Sequence, residues 1–177
     1  GHGETTESPE FGDTVNKGLQ YLVASIDEKG IVRGRNMYAQ GAVTLALAEA
    51  YGMTGSVAVK EPLDRAIRAI CASQSVPKAK SLHVGGWRYT ATSDDADTSV
   101  SGWMVMALKS AKLAGATVPE EAFNKASTYL WAMYAKEGFG YKDPGATPST
   151  TAIGVLCQQF MGHNDDKRIA KALDYLK

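Results

Sequence analysis

The 177-residue chain is poor in several features that mark functional classes. It has only two cysteines, Cys71 and Cys157, and neither has a second Cys or His at ligand spacing, which argues against a disulfide framework and a zinc site. Both are expected to be buried free thiols packed as small hydrophobes. An excess of charge of either sign is also missing, because 19 Lys+Arg balance 19 Asp+Glu. A binder of nucleic acid or anionic membrane needs surplus Lys and Arg to replace counterions, so polyanionic partners are not expected. No apolar run approaches the roughly 18 residues needed to cross a bilayer, and the first residues lack the basic, apolar and small-residue succession of a signal peptide. Gly1, His2 and Gly3 look like an expression remnant, so residues 1–13 are expected to be disordered or tag-derived and the compartment stays open. What is present is 44% hydrophobic residues. Residues 14–177 suit one domain, able to bury about 70% of its unfolded surface.

The chain repeats itself. Asn16–Leu22, Asp64–Ile70, Asn124–Leu130 and Ala170–Leu176 align without gaps, and their starts lie 48, 60 and 46 residues apart. That spacing fits a helix-turn-helix unit with variable connecting loops. Each of the first three segments is followed by an apolar stretch: Ala39–Gly52, Val100–Gly115 and Ala152–Gly162. All three carry a glycine near the start (Gly41, Gly102, Gly154) and close on another (Gly52, Gly115, Gly162). The closing glycines suit the left-handed position after a helix end. A glycine inside a helix costs about 1 kcal/mol against alanine, so three at one register indicate close helix approach.

The two helix types differ in polarity. Segments such as Leu63–Ser73 alternate apolar and charged positions at the helical period and should keep one wet face. Gly41–Ala48, Val100–Leu108 and Ala152–Met161 carry no charge and should be inner helices. The assembly expected is a curved two-layer array of three hairpins, with a fourth outer helix, Lys167–Lys177, ending the chain.

The loops between outer and inner helices carry the most specific pattern. Gly85-Gly86-Trp87-Arg88-Tyr89 corresponds to Glu137-Gly138-Phe139-Gly140-Tyr141, giving Gly-aromatic-x-Tyr in both, with each Tyr 13 residues before its inner glycine. That register sets Asp97-Thr98 opposite Ser149-Thr150, and Asp and Ser are both good N-cap residues. The first unit, at Gly30-Ile31, has a shorter link without the aromatic pair.

An outer helix ending near Gln74, a Gly-x-Trp loop at Gly85–Trp87 and an apolar inner helix resemble the Gln-Trp repeats of the squalene-hopene cyclase, oxidosqualene cyclase and protein prenyltransferase superfamily. The likeness runs from about Asn16 onward. It implies an all-α fold, an α/α toroid of concentric helices, here a partial toroid of about three and a half antiparallel hairpins. Its catalytic features transfer less well. The resemblance implies an acid at the middle of Asp-x-Asp-Asp-Thr, where Asp94-Asp95-Ala96-Asp97-Thr98 has Ala96. It implies a zinc site in prenyltransferases, but neither cysteine has the Asp-x-Cys setting, and His83 and His163 belong to no cluster. Thioester-containing complement-like domains share the toroid, yet Cys71-Ala-Ser-Gln74 matches only the spacing of their Cys-Gly-Glu-Gln motif.

Two groups of residues emerge as candidates for function. Asp94, Asp95 and Asp97 are the weak catalytic candidates; Asp97 also fits an N-cap, whereas Asp94 and Asp95 face Ala146 and Thr147 in the third unit and are not explained by the repeat. Trp87, Tyr89, Trp103, Phe139 and Tyr141 are the ligand-binding candidates, or else stack between hairpins. The resulting expectation is a non-catalytic domain that binds a protein surface or an apolar, isoprenoid-like ligand, without metal or cofactor. The alternative is part of a lipid-modifying enzyme, a terpenoid cyclase or isomerase whose remaining hairpins are missing. Superfamily members close their ring with about twice as many hairpins, so self-association or origin in a longer parent chain is also expected.

Overall fold

Each inner helix begins where a side chain takes over a free amide of the first turn. The computed structural model describes residues 3–34 and 36–177. In it α2 (Met37–Thr54) is capped by Asn36, whose side chain accepts from the Ala39 amide at 3.3 Å. Asp97 caps α4 (Thr98–Leu113), accepting from the Val100 amide at 2.9 Å. Thr147 caps α6 (Pro148–Phe160). These three apolar helices form one layer, α2 packing on α4 and α4 on α6. The other layer holds α1 (Gly12–Ser25), α3 (Val57–Gln74), α5 (Glu120–Ala132) and α7 (Lys167–Tyr175). The fold is all-α, a partial α/α toroid of three hairpins followed by one outer helix. Residues 3–11 lead into α1 through turns, and Gly1 and His2 of the expected tag remnant lie outside the described residues.

Two boundaries differ from the repeat register. Ser149 is not the cap of α6, because Pro148 occupies the first turn, and a residue with preset φ and no N–H starts the helix earlier. Gly52 does not end α2, which runs to Thr54 and closes on Gly55 at φ 64. At Gly52 the end of α4 comes close instead, and a Cβ there would lie 3.2 Å from the Ala114 Cβ. The early glycines do mark close approach. A Cβ on Gly102 would overlap the Ile153 side chain of α6, and one on Gly154 would overlap the Phe139 ring.

Side chains in the loops and in the helix turns beside them tie the layers together. The Trp87 indole donates to the Ile70 carbonyl of α3 at 2.9 Å, and Gln74 Nε2 donates to the Gly85 and Ala122 carbonyls at 2.8 and 3.0 Å. In the first unit, where no aromatic is available, buried Gln40 does this work: its Oε1 accepts from the Val32 amide at 2.9 Å and its Nε2 donates to the Gly30 carbonyl at 2.8 Å. The third loop adds a small antiparallel ladder absent from the sequence reading, β1 (Tyr134–Ala135) with β2 (Gly138–Phe139), pairing Tyr134 with Phe139. Its turn residues Lys136 and Glu137 both have positive φ, 52 and 65.

These contacts set opposite signs for two substitutions. Gly154→Ala should destabilise the fold by up to about 2 kcal/mol, since overpacking costs about 1–3 kcal/mol and the helix-propensity gain returns about 1. Glu137→Gly should stabilise it by about 0.5–1 kcal/mol, because relief of about 1–2 kcal/mol of left-handed strain exceeds the added freedom of the unfolded chain. Urea midpoints at unchanged slope measure both. Cys157 is buried and its thiol is pushed up to about 12 by withdrawal from water, so a thiol reagent should label it only after unfolding.

Candidate functional site

The Gly-aromatic-x-Tyr loops are placed by their own main chain. The Tyr89 carbonyl accepts from the Met37 amide at 2.9 Å, at the start of α2, and the Tyr141 carbonyl accepts from the Thr98 amide at 3.0 Å, at the start of α4. Each loop therefore sits on the N-terminus of the preceding unit's inner helix. This brings side chains 52 residues apart into contact. The Tyr89 and Tyr141 hydroxyls are 2.7 Å apart. Arg88 Nη1 donates to Tyr141 Oη at 2.8 Å and to Asp97 Oδ2 at 2.6 Å, while its Cζ lies 3.9 Å from the Tyr89 ring centroid. Tyr38 flanks the group, its ring 5.9 Å from that of Tyr89, with Ser99 beside it. Trp103 follows one helical turn beyond Ser99 on α4.

The structure separates the five aromatic candidates into two sets. Trp87 and Phe139 are 1% and 0% exposed and belong to the core. Tyr89, Trp103 and Tyr141 are 40%, 37% and 37% exposed, leaving ring surface open to a ligand. The three aspartates also diverge. Asp97 is wholly buried, capping α4 and pairing with Arg88. Asp95 spans two cations, Lys142 Nζ at 2.7 Å and Arg88 Nε at 3.3 Å. Asp94 is exposed and contributes its carbonyl, which accepts from the Ala79 amide at 2.8 Å.

Sequence reasoning missed Tyr38, Arg88 and Lys142. Arg88 lay inside the quoted motif, opposite Gly140 of the third unit, and that exchange of glycine for arginine was the available signal. Lys142 directly follows the aligned Tyr141. Beside Tyr89 opens a groove of about 240 Å³ lined by Ile31, Asn36, Met37, Gln40, Tyr89 and Thr90. A larger groove of about 470 Å³, around Ile67, Arg68, Cys71 and Pro119, lies on the outer layer and shares no residue with the tyrosine mouth.

The electrostatics keep the mouth in one protonation state near neutrality. Partial burial works against the Arg88 charge, but the Asp97 and Tyr141 hydrogen bonds outweigh it and raise its pKa. The Lys142 hydrogen bond, against a smaller effect of burial, holds Asp95 below the usual carboxylate range. Withdrawal from water and the Tyr89 hydroxyl push Tyr141 up to about 12, with Arg88 pulling the other way. Tyr38 is raised by withdrawal from water and by the Asp97 charge. The neutral phenols of Tyr38 and Tyr141 and the ionised carboxylate of Asp95 are therefore the working forms. The mouth can donate, accept and stack, and the raised phenols of Tyr38 and Tyr141 are not poised to remove a proton at neutral pH. Among the described residues no group of three or more His, Cys, Asp or Glu side chains is placed to hold a metal ion, and no helix is long and apolar enough to cross a membrane.

The Tyr141 shift has a defined sign. Its folded value lies above the ordinary 10.0, so the neutral phenol is the favoured form. The associated stability is complete below about pH 10 and is lost as pH rises toward about 12. A spectrophotometric tyrosine titration should show several late-ionising phenols, one fewer in Tyr141→Phe, with those of Tyr38, Tyr129 and Tyr134 remaining.

No family model matches this chain, and no curated protein matches it. Among solved structures a polysaccharide lyase is similar, with a TM-score of 0.68 and 12% identity over 96% of this chain and 55% of its own. The chain spans about half the length of that structure, and the likeness is one of fold. It overturns the resemblance to terpenoid cyclases and prenyltransferases, together with the apolar isoprenoid-like ligand, the protein-binding role and the lipid-modifying alternative that followed from it. The physical reason lies in the motif itself. Gln74 and Trp87 are spent on main-chain carbonyls, and the inner glycines on helix contact, so these residues report two-layer helical packing and not a reaction.

Proposed function

We propose that this chain is a carbohydrate-acting helical domain whose sugar-contacting surface is the mouth formed by Tyr38, Arg88, Tyr89, Trp103 and Tyr141. The observation that carries this reading is the gathering of exposed phenol surface around one guanidinium, at the seam between repeat units. The fold shared with a polysaccharide lyase supports it.

A pyranose suits such a surface for two reasons. Its C–H face stacks on an aromatic ring, and its hydroxyls need both donors and acceptors in fixed positions. Tyr89 and Trp103 supply ring area. The phenols and Arg88 donate, and Asp95 accepts. Their fixed arrangement lowers the cost of ordering on binding, because the hydroxyl pair and the Arg88–Asp97 contact already exist without ligand.

Affinity electrophoresis through gels containing pullulan, galactomannan, laminarin, polygalacturonate or alginate tests the reading. The wild-type chain should be retarded by at least one polymer. Tyr89→Ala and Trp103→Ala should each weaken that binding about tenfold, or about 1.4 kcal/mol, with helical circular dichroism unchanged. Arg88 is left in place, since its removal strands the buried Asp97 carboxylate at a cost of about 3–5 kcal/mol. Absence of retardation in every gel refutes the proposal.

A further inference from the structure

Asp95 is the carboxylate at the mouth that caps no helix. In the repeat register it stands opposite Thr147, which caps α6, but in its own unit the cap of α4 is Asp97. Its side chain is 28% exposed and reaches Lys142 Nζ and Arg88 Nε, whose side chains are 38% and 16% exposed. Asp97 is wholly buried and committed to the Val100 amide and Arg88. Asp95 is therefore the anion that a ligand at this mouth meets, and it lies between the two cations that an acidic ligand would seek.

We propose that Asp95 determines the specificity of this mouth, screening Arg88 and Lys142 so that neutral sugar units are taken and uronates are turned away. The inference rests on the carbohydrate reading above and names the class of sugar. Within the contact network two cations, Arg88 and Lys142, face two anions, Asp95 and Asp97, so a uronate gains no net attraction. Its carboxylate, drawn toward either cation, would come within a few ångströms of the Asp95 oxygens and be repelled. A neutral hydroxyl meets no such opposition. It donates to Asp95 and accepts from Lys142 or a phenol. Replacing Asp95 by Asn keeps an oxygen for Lys142 and leaves two cations against one buried anion, which turns the mouth from neutral to singly positive.

The test uses the neutral polymer bound best in the gels above and the same polymer after oxidation of its C6 hydroxyls to carboxylates, titrated by calorimetry into the full chain. Wild type should bind the neutral form about tenfold more tightly than the oxidised form. Asp95→Asn should gain about tenfold for the oxidised form, bind the neutral one more weakly because a hydroxyl then donates to an uncharged amide oxygen, and lose the gain at high salt. Asp94→Asn, which changes the same charge at a side chain outside the network, should gain less than twofold. Wild-type preference for the oxidised polymer, or an Asp95→Asn variant that gains nothing for it, overturns the specificity role while leaving the carbohydrate reading intact. Binding of acidic polymers alone does the same. Failure of both proteins to bind any polymer refutes the carbohydrate reading, and this inference falls with it.

Discussion

The structure depends on a main-chain hydrogen bond made twice. A tyrosine carbonyl in one unit accepts from the first amide of the inner helix in the unit before it, Tyr89 with Met37 and Tyr141 with Thr98. A helix N-terminus presents amides with no partner inside the helix, and here a neighbouring loop satisfies one of them. That one bond seats each loop on the inner helix of the unit before it. It also sets where the tyrosine side chain emerges. The rest of the mouth follows from those positions, because Arg88 reaches Asp97 and Tyr141 only when both loops are seated.

The inner surface of the array is otherwise governed by removal of side chains. Gly102 and Gly154 let neighbouring groups approach to distances that a methyl group would prevent, and Thr98 Oγ1 closes the gap between units by donating to the Gly140 carbonyl at 2.6 Å. Gly140 is also what separates the third loop from the second. Where it stands, the second loop carries Arg88, so a residue that serves chain geometry in one unit is replaced by the central cation of the mouth in another.

Much of the architecture was legible in the sequence because it rests on periodic features. The alternation of charged and uncharged helical segments separated α1, α3, α5 and α7 from α2, α4 and α6, and the glycine register announced their close packing. The candidate site was half legible. Tyr89, Tyr141, Asp95 and Asp97 stood out by alignment, but alignment alone does not distinguish Trp87 and Phe139, which point into the core, from residues that point out of it. Tyr38 was invisible because it reaches the mouth from the first unit, which lacks the aromatic motif. The family resemblance misled for a related reason: Gln74, Trp87 and the glycines are demanded by helical packing, and packing demands are common to proteins of different chemistry.

The seating of each tyrosine carbonyl on the preceding unit has an evolutionary consequence. No single repeat contains the mouth; it belongs to the seam, with Arg88 and Asp97 from the second unit and Tyr141 and Lys142 from the third. Duplicating one hairpin within such an array would create a new seam along with a new unit. Drift at the single position occupied here by Arg88 or Gly140 would then decide whether that seam becomes a binding surface or remains plain scaffold.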